Sequence, residues 1–202
     1  MIKKIIFSVL LAFTTFLVNA QDCQPYKLTK PNCTMVSVNT GYLINNNIGD
    51  YDFSKNYFGV GVEVAQFFNE TFGIGGTFNY YGDINNDYDV NSNLYDIGAV
   101  LKFRLTDYFK PSVVDVSFNA GLSYGRFDFE EWFDSDGVNY IVPNISFDFL
   151  FNLTSDKSVQ FGITPSYQYF IPTSDRWYFD DGEKVNSKIS TFGIKAKINV
   201  NF

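Results

Sequence analysis

The sequence contains no histidine, the side chain whose ordinary titration lies near neutral pH. Acid–base catalysis would then need a shifted carboxylate or lysine, so an enzyme is not the expectation. An excess of positive charge is missing too. With Lys3 and Lys4 set aside as part of a leader, 13 basic residues face 22 acidic ones, a net charge of −9. That balance argues against a nucleic-acid partner, which needs a basic footprint. Cysteine is scarce, with Cys23 and Cys33 in CQPYKLTKPNC, and two thiols without histidine do not make a zinc site. Nor does any stretch after the first twenty residues have the length and apolarity of a membrane-spanning helix. Aromatics nevertheless make up 19% of the chain, with 23 Phe and 14 Tyr. Abundant aromatics without a long apolar run must be dispersed, and their spacing decides the class.

The N-terminus, MIKKIIFSVLLAFTTFLVNA, has two lysines, an apolar run from Ile5 to Val18 and a small-residue close at Val18-Asn19-Ala20. It reads as a secretory signal peptide over residues 1–20, cleaved after Ala20. Cys23, following Gln21-Asp22, lacks the flanks of a lipidated cysteine. In an exported chain the expectation for Cys23 and Cys33 is a disulfide within a periplasmic N-terminal segment, 21–34, worth roughly 2 to 3 kcal/mol by loop closure. The mature chain of about 182 residues has the size of one domain.

From residue 35 to 202 the dominant signal is a period of 2. At the C-terminus, Phe192, Ile194, Ala196, Ile198, Val200 and Phe202 alternate with Thr191, Gly193, Lys195, Lys197, Asn199 and Asn201. Seven earlier segments alternate in the same way, over Met35–Leu43, Tyr57–Phe68, Thr71–Tyr81, Leu94–Leu105, Val114–Tyr124, Asn139–Leu153 and Val159–Phe170. The links after the second, fourth and sixth segments are tight: FNET, TDYFKPS and TSDKS. Those after the first, third, fifth and seventh are longer and rich in Asn, Asp and Gly. Short turns on one side and long loops on the other predict an all-β fold, an eight-stranded antiparallel up-and-down transmembrane β-barrel with both termini periplasmic. A soluble eight-stranded barrel also alternates, but its lumen has room for little more than side chains. The bulky apolar set is therefore expected outside, against lipid, with Gly, Ser, Asn, Gln and the charges inside.

Strand number, loop asymmetry and the terminal Phe202, with Val200 and Ile198 on its face, give a chain that resembles the small eight-stranded outer-membrane barrels of the OmpA and OmpX type. The resemblance implies an outer-membrane location in a Gram-negative bacterium and contact with lipid and lipopolysaccharide. It also implies recognition of Phe202, Val200 and Ile198 by the barrel assembly machinery. Enzymes of this class rely on a histidine, which is absent, so no catalytic residue and no resident cofactor are expected. The function expected is structural or adhesion-like, in a monomer with an unidentified extracellular partner. The alternatives are a narrow, porin-like channel and a lipid-modifying barrel.

Eight charges fall on the inward face: Glu63, Asp96, Asp115, Asp148, Lys102, Arg104, Lys195 and Lys197. Balanced charges in a narrow interior are expected to pair and plug it, with Arg104 and Asp115, flanking one turn, as the leading pair. Pro143 and Pro165 lie on neighbouring strands and should weaken the seam between them, as bulges or as a lateral gate. The outer links, 44–56, 82–93, 127–139 and 171–186, hold 14 acids against 3 bases. Such a rim attracts cations. Asp83, Asp87 and Asp89 have part of a calcium-loop spacing, but Tyr88 and Leu94 stand at its required glycine and acid positions. With Glu130, Glu131, Asp134, Asp180 and Asp181 they are expected to bind at most weak Ca²⁺ or Mg²⁺. Trp132 and Trp177 are expected in an interfacial belt or as binding anchors.

Overall fold

The computed structural model describes residues 33–45, 56–84, 91–106, 113–131, 134–173 and 188–202, with backbone alone for 91, 129–131 and 134–136. The leader, Cys23, Asp87, Asp89, Trp132, Trp177, Asp180 and Asp181 lie outside the described residues. Eight strands follow one another: β1 (Cys33–Asn45), β2 (Asn56–Phe67), β3 (Phe72–Asp83), β4 (Asn91–Arg104), β5 (Val114–Glu131), β6 (Asp134–Asn152), β7 (Val159–Pro172) and β8 (Ile189–Asn201). Each pairs antiparallel with its neighbours in sequence, and β1 pairs with β8, giving a closed up-and-down barrel. Closure places every strand between two partners, so no edge is left for the backbone to satisfy elsewhere. Phe202 completes it: its N–H donates to the Thr34 carbonyl at 2.8 Å, and its own carbonyl accepts from the Thr34 N–H at 3.1 Å.

The alternation sorts the wall as expected over most of its height. Val60, Ile97, Leu122 and Ile194 are among the large apolar side chains left exposed on the outside, Ile97 at 63%. A surface of that kind is stable against hydrocarbon rather than water. At the end that carries both chain termini and the short links, labelled periplasmic after the orientation expected from the sequence, Phe72, Phe103, Phe118 and Phe147 stand directly opposite one another on β3 to β6. Their ring centroids lie 5.3, 6.3 and 5.3 Å apart, and cross-strand contacts of this type stabilise by roughly 0.2–1 kcal/mol each. Tyr42, Tyr80, Tyr124 and Tyr167 stand nearer the outer side.

Two expectations are corrected. The link expected over Phe127–Asn139 is largely strand: Phe127 pairs with Val138, and the ladder continues to Glu131 and Asp134. Acidic composition hid a preserved parity there, since Phe127 and Val138 are both buried in phase with the inward face. The second correction concerns the lumen, which is not uniformly small and polar. Its outer half is filled by Leu43, Tyr57, Tyr81, Leu94, Phe127, Val138, Tyr140, Val142, Phe170 and Ile189, all buried. Large residues fit because glycines stand beside them. A Cβ on Gly59, the pairing partner of Tyr81, would collide with the Tyr80 carbonyl and the Tyr81 ring.

Candidate functional site: the lumen and the outer rim

The periplasmic half of the lumen is organised around four buried charges drawn from alternate strands: Glu63 on β2, Lys102 on β4, Asp148 on β6 and Lys197 on β8. Lys102 Nζ lies 2.7 Å from Glu63 Oε1 and 2.8 Å from Asp148 Oδ2. Lys197 Nζ lies 3.0 Å from Glu63 Oε2 and 3.2 Å from both oxygens of Asp148. Each cation thus bridges both anions and each anion both cations, a closed square with no net charge. The Thr164 hydroxyl adds a 2.7 Å bond to Asp148 Oδ1. Charges taken out of water need this degree of mutual satisfaction to be tolerated.

Nearer the periplasm Lys157 meets Asp115 at 3.0 Å, with the Gln160 amide donating to the other carboxylate oxygen at 2.8 Å. Arg104 lays its guanidinium over the Phe67 ring, 3.6 Å from the centroid. Arg104 stands opposite Ser117 on β5, two residues farther from the turn than Asp115. Lys157 belongs to the β6–β7 link and has a backbone φ of 56°, a left-handed conformation that costs a non-glycine residue about 1–2 kcal/mol. Its N–H donates to the Thr154 carbonyl, and its own carbonyl accepts from the Asn201 side chain at 2.7 Å. Nothing in the alternation marks a turn lysine as a lumen residue, so the sequence reading missed it. In the same link Asp156 accepts bonds from the Thr154 and Ser158 hydroxyls and the Ser158 N–H, which hold its carboxyl below the usual carboxylate range.

Above the square, Lys195 donates to Asn79 Oδ1 at 3.0 Å, and Asn79 donates in turn to Asp96 Oδ1 at 3.0 Å. A cavity of about 40 Å³ lies at this level, lined by Asn39, Asn144, Ser166, Gln168, Lys195 and Lys197 among others. It has room for two or three waters. Over it sits the apolar cluster, with Tyr57 and Phe127 edge-to-face at 5.9 Å and Tyr140 and Phe170 at 5.7 Å. The Tyr57 hydroxyl is satisfied by Ser92 Oγ at 2.8 Å.

At the outer rim, Asp83 ends β3, with the Ser92 hydroxyl 3.4 Å from its carboxylate. Glu130, Glu131 and Asp134 are placed by backbone near the tip of the β5–β6 hairpin. Among the described residues no group of three or more metal-ligating side chains comes together. At the other end Cys33 is buried beside Met35, Ala65 and Phe67. The expected disulfide involves Cys23 and so falls outside the described residues.

A closed, lipid-faced barrel of eight strands with a filled lumen has the fold of the small outer-membrane β-barrels. Solved structures of that fold superpose on it. Neisserial surface protein A gives a TM-score of 0.61 at 15% identity, over 86% of this chain and 98% of that one. Ail, the attachment invasion locus protein of Yersinia pestis, gives 0.55 at 16%, over 86% and 100%; its complex with the heparin analogue sucrose octasulfate gives 0.53 at 17%, over the same shares. The outer membrane protein OprG of Pseudomonas aeruginosa gives 0.52 at 9%, over 86% and 97%. No family model matches the sequence, and no curated protein does.

Proposed function

We propose that this is a monomeric outer-membrane protein of a Gram-negative bacterium, exported by its N-terminal signal peptide, whose lumen is a plug and whose work is structural or adhesive at the outer rim. The observation that carries the reading is the filling of the lumen by two successive layers, the charge square and the aromatic cluster. A barrel so filled serves as a rigid stand for what it displays, and here it displays a long β5–β6 hairpin and acidic links. Two of the similar folds are named for surface or attachment roles. The sulfated ligand of Ail suits a basic site, whereas 14 acids against 3 bases over 44–56, 82–93, 127–139 and 171–186, five of the acids on the β5–β6 hairpin, suit a cationic partner, or one bridged by Ca²⁺ or Mg²⁺ shared with lipopolysaccharide phosphates. No catalytic residue is assigned, since the chain has no histidine for acid–base work near neutral pH.

Cells displaying the protein, and cells displaying a variant with Glu130, Glu131, Asp134, Asp180 and Asp181 neutralised, should be compared for binding to polylysine-coated and heparin-coated surfaces, with several millimolar Ca²⁺ and with chelator. The expected result is stronger binding to polylysine by the wild type, lost in the variant, and none to heparin. In a planar bilayer the purified barrel should show no steady conductance. Reproducible single-channel steps, altered by Lys102→Ala or Asp148→Ala, would replace this reading with the narrow channel.

A further inference from the structure

The wall has one interrupted seam among the described residues. Every other ladder runs without a gap, but in β6–β7 neither Val142 and Pro143 opposite Tyr169 and Phe170, nor Phe147 and Asp148 opposite Thr164 and Pro165, make ladder pairs. Pro143 keeps its pairing to Leu122 on β5, and Pro165 keeps its pairing to Ile194 on β8. Each proline therefore spends its missing N–H on the same seam.

The two gaps differ in what backs them. Behind the lower one, the Thr164 hydroxyl and Asp148 bond across the strands at 2.7 Å, and Asp148 is anchored in the charge square. Behind the upper one stand Val142 and Phe170, both fully buried, joined to the rest of the lumen through ring contact and apolar packing. On the lipid side the upper gap is flanked by Ile141, Ile145, Tyr167 and Ile171, all exposed. At this point apolar lumen and apolar exterior are separated by the part of the wall that lacks both a ladder pairing and a polar staple.

We propose that the upper gap at Pro143 is a binding site for one acyl chain of a surrounding bilayer lipid, which wedges between β6 and β7 with its end against Val142 and Phe170. Chemistry on both sides points to the occupant: the gap lies in the lipid-facing band, and what lies behind it is hydrocarbon and aromatic ring, with no charge to recognise a headgroup. A methylene chain is also the slimmest apolar object that the exterior solvent supplies. This site rests on the membrane placement proposed above and on no property of the rim.

The test uses the full chain with Trp132→Phe and Trp177→Phe, reconstituted in phosphatidylcholine brominated along one acyl chain. A single tryptophan is introduced as Phe170→Trp behind the gap, Phe127→Trp in the same cluster behind continuous ladders, or Ile97→Trp on the lipid face. Folding of each is checked by heat-modifiable mobility. Quenching at position 170 is expected to reach at least half that at position 97 and to exceed that at position 127 by threefold or more. Adding Pro143→Val, which restores an N–H, should lower quenching at position 170 at least twofold. Equal quenching at 170 and 127, or none lost with Pro143→Val, overturns the site while quenching at 97 leaves membrane placement standing. Absence of quenching at 97 overturns that placement as well. Quenching at 170 by free brominated fatty acid but not by the brominated phospholipid also overturns the proposal, because the source would then not be a bilayer lipid.

Discussion

The two halves of the lumen share one wall and one alternation yet are filled by opposite chemistries. In the periplasmic half the inward positions carry Glu63, Lys102, Asp148 and Lys197, each satisfied by two partners. In the outer half the same parity carries Tyr57, Tyr81, Phe127 and Phe170. The square is held by geometry, because each member is tolerated in a dry interior only while the others stay in place. The cluster is held by volume, and its losses scale with the cavity that a truncation leaves. Removing one member of the square should therefore damage its two partners, whereas removing one ring should leave the others largely as they were.

Lys102→Ala tests the first half of that comparison and should have the largest effect. It leaves two buried carboxylates against Lys197 alone and is expected to cost about 3–5 kcal/mol, read by urea unfolding in lipid with heat-modifiable mobility as the probe. Replacing all four members by Met and Gln should recover most of the loss. A quadruple variant no better than the single one would mean that the ions are needed for more than mutual neutralisation. Phe127→Ala tests the second half, with an expected cost of about 3 kcal/mol. If it proves as damaging as Lys102→Ala and prevents folding, the cluster is a cooperative unit and the contrast between the halves fails.

The smallest effect sharpens the boundary of the ion-rich half. Asp156→Ala in the β6–β7 link should cost less than about 0.5 kcal/mol at neutral pH, as exposed substitutions do. The native carboxyl is held below the ordinary carboxylate range, so its contribution is full above that range and is lost as pH falls through the lowered value. Wild-type and variant stabilities should converge in acid, as measured by the same unfolding assay at stepped pH. A difference that persists or grows in acid would show that the turn is held by its backbone rather than by this carboxylate.

Strand number and order were legible because lipid outside and a filled lumen inside impose a strict period of 2 on every spanning segment. The charge square was legible in membership, since its four residues share the inward parity, but its pairing depends on reach across the lumen, which parity does not encode. The aromatic cluster was overlooked although Tyr57, Tyr81, Leu94 and Phe170 keep phase with Gly59, Asn79, Asp96 and Gln168. A rule that assigned the large residues to lipid stopped short of the strand ends. The β5–β6 extension was hidden by acids that read as loop, and Lys157 by its place in a turn. The weakness of the proline seam was legible from the two residues alone, and the register shows that both gaps fall in the β6–β7 ladder.

The charge square also has a mechanical meaning. A closed ladder acts as a hoop, strong in circumference but free to flatten into an ellipse under the lateral pressure of a bilayer. Glu63, Lys102, Asp148 and Lys197 enter from every second strand and meet near the middle, as spokes would, and spokes fix the cross-section. Asp148 is the spoke whose foot stands at the lower break in the hoop. Its loss should let the barrel yield along the β6–β7 direction before any strand unpairs elsewhere.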